Sequence, residues 1–415
     1  MIFGKGSKNA VLNEREVRQI CNEAFKQKNL QGKKVLIIIP DHSRTAPIDL
    51  MFRTVYELLA NQVRLLDFLI ALGTHPPMSE DMIYERVGIR GSERKSTYPK
   101  ARFFNHQWRD PAQLKRAGIF TKEEVAHISR GLMNEEVEVT INKMVYEYDL
   151  LLIIGPTFPH EVVGFSGGNK YLFPGIAGQE IIDMFHWLGA LITNPKIIGT
   201  KFTPVREVVD RAAQFLPVER MCLSLVVKGK DLVGLYAGDP EEAWEAAADL
   251  SDKVHIIYKE KPFHAVLSCA PKMYDDLWTG GKCMYKLEPV VADGGELIIF
   301  APHIREVSVT HGKIIEQIGY HVRDYFTKQM EKFREIPGGV MAHSTHVKGI
   351  GTFENGIEKP RVKVTLATSI PKKVCQKINL GYRDPATIKI EDYLNREDEG
   401  ILYVEKAGEL LYRLK

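Results

Sequence analysis

Side chains able to bind and work on a small anion recur in this chain just after apolar runs, and the densest stretch is His160-EVVGFSGGN-Lys170. Gly164, Gly167 and Gly168, with Ser166 among them, permit positive φ and close backbone approach, as a phosphate cradled by N–H groups requires. The stretch is neither a Walker motif nor a GxGxxG fingerprint, and a glycine cluster beside a lysine also serves as a plain turn. Lys170 is the unusual member, because it reaches out from a backbone that could wrap a ligand. His186 follows on a helical pattern among Met184, Phe185, Trp187 and Leu188. With no HxxxH or HExxH beside it, it reads either as a core histidine or as a metal ligand whose partners lie elsewhere. His343 and His346 share a helical face but show no third ligand.

Asp41 and Arg44 stand in DHSRTAP, where the planar guanidinium could grip a carboxylate through two parallel hydrogen bonds or simply close an ion-paired loop. His106, in FFNHQW, is a candidate base or an ordinary surface imidazole. Lys282 follows Gly280 and Gly281 in TGGKCMYK. A glycine inside a helix costs about 1 kcal/mol relative to alanine, so either a close approach requires the pair or the helix starts at Lys282.

The elements that must position these groups alternate in an α/β manner. Strands are predicted at 33–41, 64–75, 101–106 and 149–157, with helices at 47–62 and 178–192. A second series follows: a strand at 263–271, a helix through YDDLWTGGKCMYKLEPVVA and a strand at 296–302. The polar segments DHSR, GTH, NH and PTFPH all follow strands, where open α/β sheets bind ligands. The charged segment YKEKPF divides the chain into an N-terminal α/β domain, 1–258, and a C-terminal one, 262–415, with the active site expected in the cleft between them. The tail VEKAGELLYRLK has helical spacing.

Composition narrows the class. The 415 residues are 44% hydrophobic and 26% charged, and 56 basic against 53 acidic residues leave a net charge of only +3. That balance gives no reason to expect nucleic acid or an anionic membrane as partner. No apolar run approaches the roughly 20 residues that span a bilayer, and the N-terminus lacks the apolar core of a secretory signal. The five cysteines are widely spaced without a CxxC pair, as expected of reduced thiols in a cytoplasmic protein.

Taken together, DHSRTAP, GTHPPMS, FNH, PHEVVGFSGGNKYLFPGIAG, the FHW histidine and GGKCMYKLEPVVADGGE resemble the nickel-dependent lactate racemase family, in order and over most of the chain. The resemblance implies a nickel-pincer nucleotide, a pyridinium mononucleotide whose two sulfur-bearing arms and ring carbon hold nickel. Lys170 matches the lysine that tethers it, and His186 matches the protein ligand of the metal. The glycine turn would hold the phosphate. His106 and His160 match a pair of bases, one for each enantiomer, and histidine can accept and return a proton near neutrality. Arg44, positioned by Asp41, would clamp the substrate carboxylate, with Lys282 as a second cation. The implied reaction inverts C2 of a 2-hydroxy acid by hydride transfer to and from the cofactor, through a 2-keto acid. Cofactor-biosynthesis proteins are implied as partners.

One departure concerns the substrate. The family's lactate-handling members are expected to carry glutamine where this chain has Thr279, and the small WTGG run predicts a pocket roomier than lactate needs. A sugar-acid 2-epimerase of the same mechanism is therefore an alternative, beside lactate racemase itself. A nicotinamide-linked dehydrogenase would want a GxGxxG turn that is not evident. A non-catalytic nickel-cofactor binding protein would have no use for two bases.

Overall fold

The structure is a computed structural model describing residues 1–415. The chain forms two compact units, and it passes between them more than once. Unit 1 comprises Met1–Phe158, Phe165–Ile182 and Pro204–Val254, and unit 2 comprises Pro159–Gly164, Asp183–Thr203 and His255–Lys415.

Unit 1 is built on a seven-stranded sheet of β1 (Phe3–Gly6), β2 (Lys34–Pro40), β3 (Leu65–Ala71), β4 (Ala101–Asn105), β5 (Leu150–Pro156), β6 (Glu219–Lys228) and β7 (Asp231–Gly238). Its order is β1-β7-β6-β5-β2-β3-β4. The five strands from β6 to β4 are mutually parallel, and β7 and β1 close one edge antiparallel. Strands buried on both faces are continuously apolar, which is why KVLIIIP and LLLIIGP lack alternation. Val35, Ile37 and Ile39 share one core with Leu66, Phe68, Leu150 and Leu152. Helix α1 (Glu14–Lys26) covers that core with Val17, Ile20, Cys21, Ala24 and Phe25, an amphipathic stripe started by an Asn13–Glu16 capping box. Helix α2 (Ile48–Leu59) adds Met51, Phe52 and Val55 to it. From β2 the chain winds one way to β3 and β4, then returns to β5 on the other side. The crevice beyond β2 and β5 is therefore the topological switch point, where such sheets hold ligands.

Unit 2 has a five-stranded, wholly parallel sheet of β8 (Phe263–Cys269), β9 (Val291–Ala301), β10 (Lys363–Thr368), β11 (Gly381–Tyr382) and β12 (Ile401–Val404), ordered β11-β10-β9-β8-β12. Segments 159–164 and 183–203 belong to this unit through specific contacts. Lys286 Nζ donates to Pro159 O at 2.6 Å, and Asn194 Nδ2 donates to Tyr285 O at 2.9 Å.

Two sequence expectations about elements are corrected. The expected helix after β8 is broken into one-turn pieces, Leu277–Gly280 and Lys282–Tyr285, with Gly281 between them. The tail is not helical: β12 pairs with β8, and Leu411–Leu414 pairs with Ile256–Lys259. Gly408, at φ +104°, turns the chain between the two strands. No helix is long and apolar enough to cross a membrane. All five cysteines are buried and unpaired, and burial pushes the thiols up, Cys21 to about 12.

Candidate functional site

In unit 1 the loop after β2 meets the loop after β3. Asp41 is 3% exposed and accepts hydrogen bonds from Ser43 N (3.1 Å), Ser43 Oγ (2.7 Å) and His75 Nδ1 (2.5 Å). Burial opposes ionisation of Asp41, but His75, Ser43 and Arg44 outweigh it and hold the carboxyl well below its usual range. An ionised Asp41 fixes the proton of His75 on Nδ1, which leaves Nε2 as the basic nitrogen of a partly exposed ring. Arg86 staples this loop by donating to Arg44 O at 2.8 Å and, more weakly, to Pro40 O and Ala46 O at 3.5 Å each. The Tyr171 ring occupies space that only glycine leaves, since a Cβ on Gly155 would lie 2.2 Å from it. Burial keeps its phenol protonated, against the pull of Arg44 and Arg86.

His106 does not fit the expected role of base. It is 1% exposed, its Nε2–H donates to Ala177 O at 2.9 Å, and its Nδ1 accepts from Asn142 Nδ2 at 3.3 Å. Both ring nitrogens are engaged inside the protein, and burial pushes the imidazole down to about 4. The histidine at the strand ends with an orienting carboxylate is His75.

The glycine turn follows β5. Gly167 and Gly168 have φ of +93° and +59°, and a Cβ on Gly167 would lie 2.5 Å from Thr157 Oγ1. That hydroxyl is buried with no hydrogen-bond partner. Ser166 is a staple of the turn: its Oγ accepts from Phe158 N at 2.9 Å and donates to Pro156 O at 3.3 Å. Trp244 Nε1 donates to Ser166 O at 2.9 Å. The Arg206 guanidinium stacks on Trp244, 3.8 Å from its ring centre, and donates to Phe165 O at 2.6 Å. Because a trans peptide points its N–H opposite its C=O, anchoring Ser166 O turns the Gly167 N–H the other way. Asn169 is tied to Asp210 and Glu241 at 3.1 and 2.7 Å, and the half-buried Lys170 follows it on a single helical turn.

Unit 2 holds the remaining candidates. His160 is buried, with its Nδ1 3.2 Å from Val162 N and 3.4 Å from Glu161 Oε2. Gly164 serves packing, for a Cβ there would lie 1.8 Å from Thr200 O. His186 lies on helix α3 (Gln179–Ile192), edge-on to Phe185 with ring centres 4.9 Å apart. It lies within electrostatic reach of His343, on helix α4 (Gly338–Lys348), an imidazole that burial holds far below its usual range. Lys282 Nζ sits 4.8 Å from the Tyr274 ring centre. Thr279 N–H caps onto Asp276 Oδ1 at 3.0 Å.

The room expected around the WTGG run is filled. A Cβ on Gly280 would meet Ile304 Cδ1 at 2.9 Å, and one on Gly281 would meet Val347 Cγ2 at 2.8 Å and His343 Cε1 at 3.1 Å. Trp278 lies between His311 and His343, with ring centres 4.5 and 4.1 Å away. These glycines permit close packing, so they give no support to a substrate larger than lactate. No group of three His, Cys, Asp or Glu side chains is placed to hold a metal ion.

The structure thus gathers Asp41, Arg44, His75 and Arg86 in unit 1, and His186, His343 and Trp278 in unit 2. Arg86 and Tyr171 carried no sequence signal, whereas His75 was announced by GTH after a strand.

A doubly wound parallel sheet with charged and imidazole-bearing loops at its switch point defines an α/β protein for small polar ligands. A profile of the lactate racemase N-terminal domain matches residues 7–197. The lactate racemase of Thermoanaerobacterium thermosaccharolyticum is 26% identical over 65% of this chain and 60% of its own length. That of Lactiplantibacillus plantarum is 25% identical over 53% of this chain and 48% of its own. The matches therefore span between about half and three fifths of those curated relatives. A Thermotoga maritima protein of solved structure is 32% identical over 99% of this chain and all of its own, with a TM-score of 0.91. The lactate racemase apoprotein from T. thermosaccharolyticum shares the fold, with a TM-score of 0.72 at 18% identity over 97% of this chain and 94% of its own. Residues 7–197 thus match the N-terminal domain of lactate racemases, and the curated relatives to which the chain is similar are lactate racemases.

Proposed function

We propose that the protein is an isomerase that inverts C2 of a 2-hydroxy acid, with a nickel-pincer nucleotide as cofactor. The observation that carries this reading is the Asp41–His75 pair at the switch point, with Arg44 in the same loop. Substrate carboxylate binds Arg44, and Lys282 and Thr279 are the substrate-binding candidates of unit 2. The substrate hydroxyl gives its proton to His75 Nε2, and His160 is the unit 2 candidate for the second base. His75 takes the role first expected of His106.

The residues present fit the cofactor. The Gly167–Gly168 turn is a cradle that a Cβ would fill, and the orphaned Thr157 hydroxyl beside it awaits a polar partner such as a phosphate oxygen. Lys170 would tether the group and His186 would ligate its nickel. When bound, the group supplies the hydride acceptor and donor that renders C2 planar and then lets hydrogen return to either face. Reduced, buried cysteines suit a cytoplasmic location, and cofactor-making enzymes are the partners this reading requires.

The test is to co-produce the chain with the cofactor-making enzymes and follow C2 inversion by chiral chromatography across 2-hydroxy acids from lactate to gluconate. Inversion of at least one acid, lost in His75→Ala, is expected. A nickel-loaded chain that inverts none of them is a binding protein, and the proposal fails.

A further inference from the structure

Unit 2 holds a part-open cavity of about 220 Å³ that none of the assigned residues lines. Its walls include the end of α3 with the loop behind it, the end of α4, and Glu288. Asn194 is 3% exposed and spends its amide hydrogens on Tyr285 O (2.9 Å) and Glu288 Oε2 (3.1 Å), while its Oδ1 is buried without a hydrogen-bond partner. His346 Nε2 is a second buried atom without one. Buried polar atoms are nearly always partnered, so two orphans around one cavity mark a place that a polar guest completes.

The charges say what kind of guest. Glu288 is fully buried and forms no ion pair; its Oε1 accepts only a backbone hydrogen bond, from Ile350 N at 2.7 Å. Burial pushes its carboxyl up, against Ile350, Asn194 and Arg361. Exposed Lys196 and half-buried Arg323 add positive charge to the lining, though Arg323 also donates to Asp324 (2.9 Å) and to Leu191 O (3.0 Å). Thr193, between these groups, holds φ +89°, a strained value for a β-branched residue of the sort that collects at ligand clamps. The volume lies below the roughly 300–1,000 Å³ of drug-sized pockets, so the guest has few heavy atoms.

We propose that this cavity binds a small α-amino acid, its ammonium group received by Glu288 and Asn194 Oδ1 and its carboxylate by Lys196 and Arg323. A hydroxy acid could satisfy Asn194 but brings no cation to the buried carboxyl of Glu288, on which Arg361 is the one charged group acting within the protein. The site is independent of the racemase reading, because it uses none of the residues assigned to that chemistry.

Isothermal titration of the full chain with L-alanine tests it, with propionate and ethylamine as half-molecules. L-alanine is expected to saturate, with each half-molecule at least tenfold weaker. Glu288→Gln keeps an acceptor for Ile350 N–H, and it should weaken L-alanine at least tenfold, as losing a hydrogen bond to a charged group does. Should that variant fail to fold, Lys196→Ala, at an exposed position, should still weaken binding several-fold. Absence of saturable L-alanine binding overturns the proposal. So does L-lactate displacing L-alanine with equal affinity, or wild-type affinity in a folded Glu288→Gln. A crystal soaked in L-alanine that shows only ordered water in the cavity overturns it as well.

Discussion

His75 Nδ1 lies 2.5 Å from Asp41 Oδ2, a contact between residues 34 positions apart that gives this imidazole of unit 1 an orienting carboxylate. The carboxylate fixes the tautomer and steadies the positive charge the ring acquires on taking a proton, as in any base–orienter pair. His75→Ala in cofactor-loaded protein should lower kcat by at least about 10²-fold with little change in thermal midpoint. Asp41→Asn should lower it comparably by favouring the wrong tautomer. His106→Ala should chiefly lower the midpoint, because it strands Ala177 O and Asn142. A well-folded His106→Ala as inactive as His75→Ala would restore His106 as the base.

On the proposed function, Lys170 as tether and His186 as metal ligand can be tested separately. Intact mass of protein made with the cofactor enzymes should show an adduct that vanishes in Lys170→Ala. His186→Ala should keep the adduct and lose nickel by elemental analysis. An adduct surviving in Lys170→Ala would place the tether elsewhere.

Gly281 gives a stability test of the packed WTGG run. Alanine there must push on Val347 and His343, and overpacking of this kind costs about 1–3 kcal/mol. Chemical denaturation of Gly281→Ala should show that loss, with activities on short and long 2-hydroxy acids falling alike. An unchanged denaturation midpoint with selective loss of the long substrates would mean that the space is open after all.

Buried imidazoles should make the protein acid-labile. His106 and His346 are each pushed down to about 4, chiefly by burial, from an ordinary value near 6.5. Between those values the unfolded chain binds protons that the folded chain refuses, so stability falls as pH drops from 6.5 to 4. By linkage each histidine contributes on the order of 3 kcal/mol to that fall. The depressed carboxyl of Asp41 acts in the same direction at lower pH, its contribution fading as acid protonates it. Denaturation at stepped pH checks this, and His106→Gln should flatten the slope. A flat profile from pH 6.5 to 4 would contradict the burial of both rings.

Strands β2 to β5, β8 and β9 are readable because long apolar runs ending in polar loops have few other destinations, whereas the other six strands of the two sheets carried no prediction. The site is readable where chemistry and sequence neighbourhood coincide, as in Asp41–Arg44 and Gly167–Lys170. It is not readable where a distant residue decides. FNH looks like GTH until Ala177, 71 residues on, claims the Nε2 of His106. VEKAGELLYRLK has helical spacing, yet pairing with Ile256–Lys259 draws its end into a strand, a non-local gain that outweighs propensity. Gly280 and Gly281 suggest empty space only until Ile304 and Val347 are seen against them.

The threading of segments 159–164 and 183–203 into unit 2 also sets a timetable for synthesis. Asn194 meets Tyr285 only 91 residues later, and Pro159 meets Lys286 127 residues later. At roughly 5–20 residues per second, these segments spend several seconds outside the ribosome before their partners are made. The glycine turn beside Lys170 is likewise unfinished until Trp244, 78 residues after Ser166, has emerged. A gene cut at the boundary near residue 255 would therefore not yield two self-sufficient halves. The downstream piece would lack segments 159–164 and 183–203, which meet its own Lys286 and Glu288 through Pro159 and Asn194.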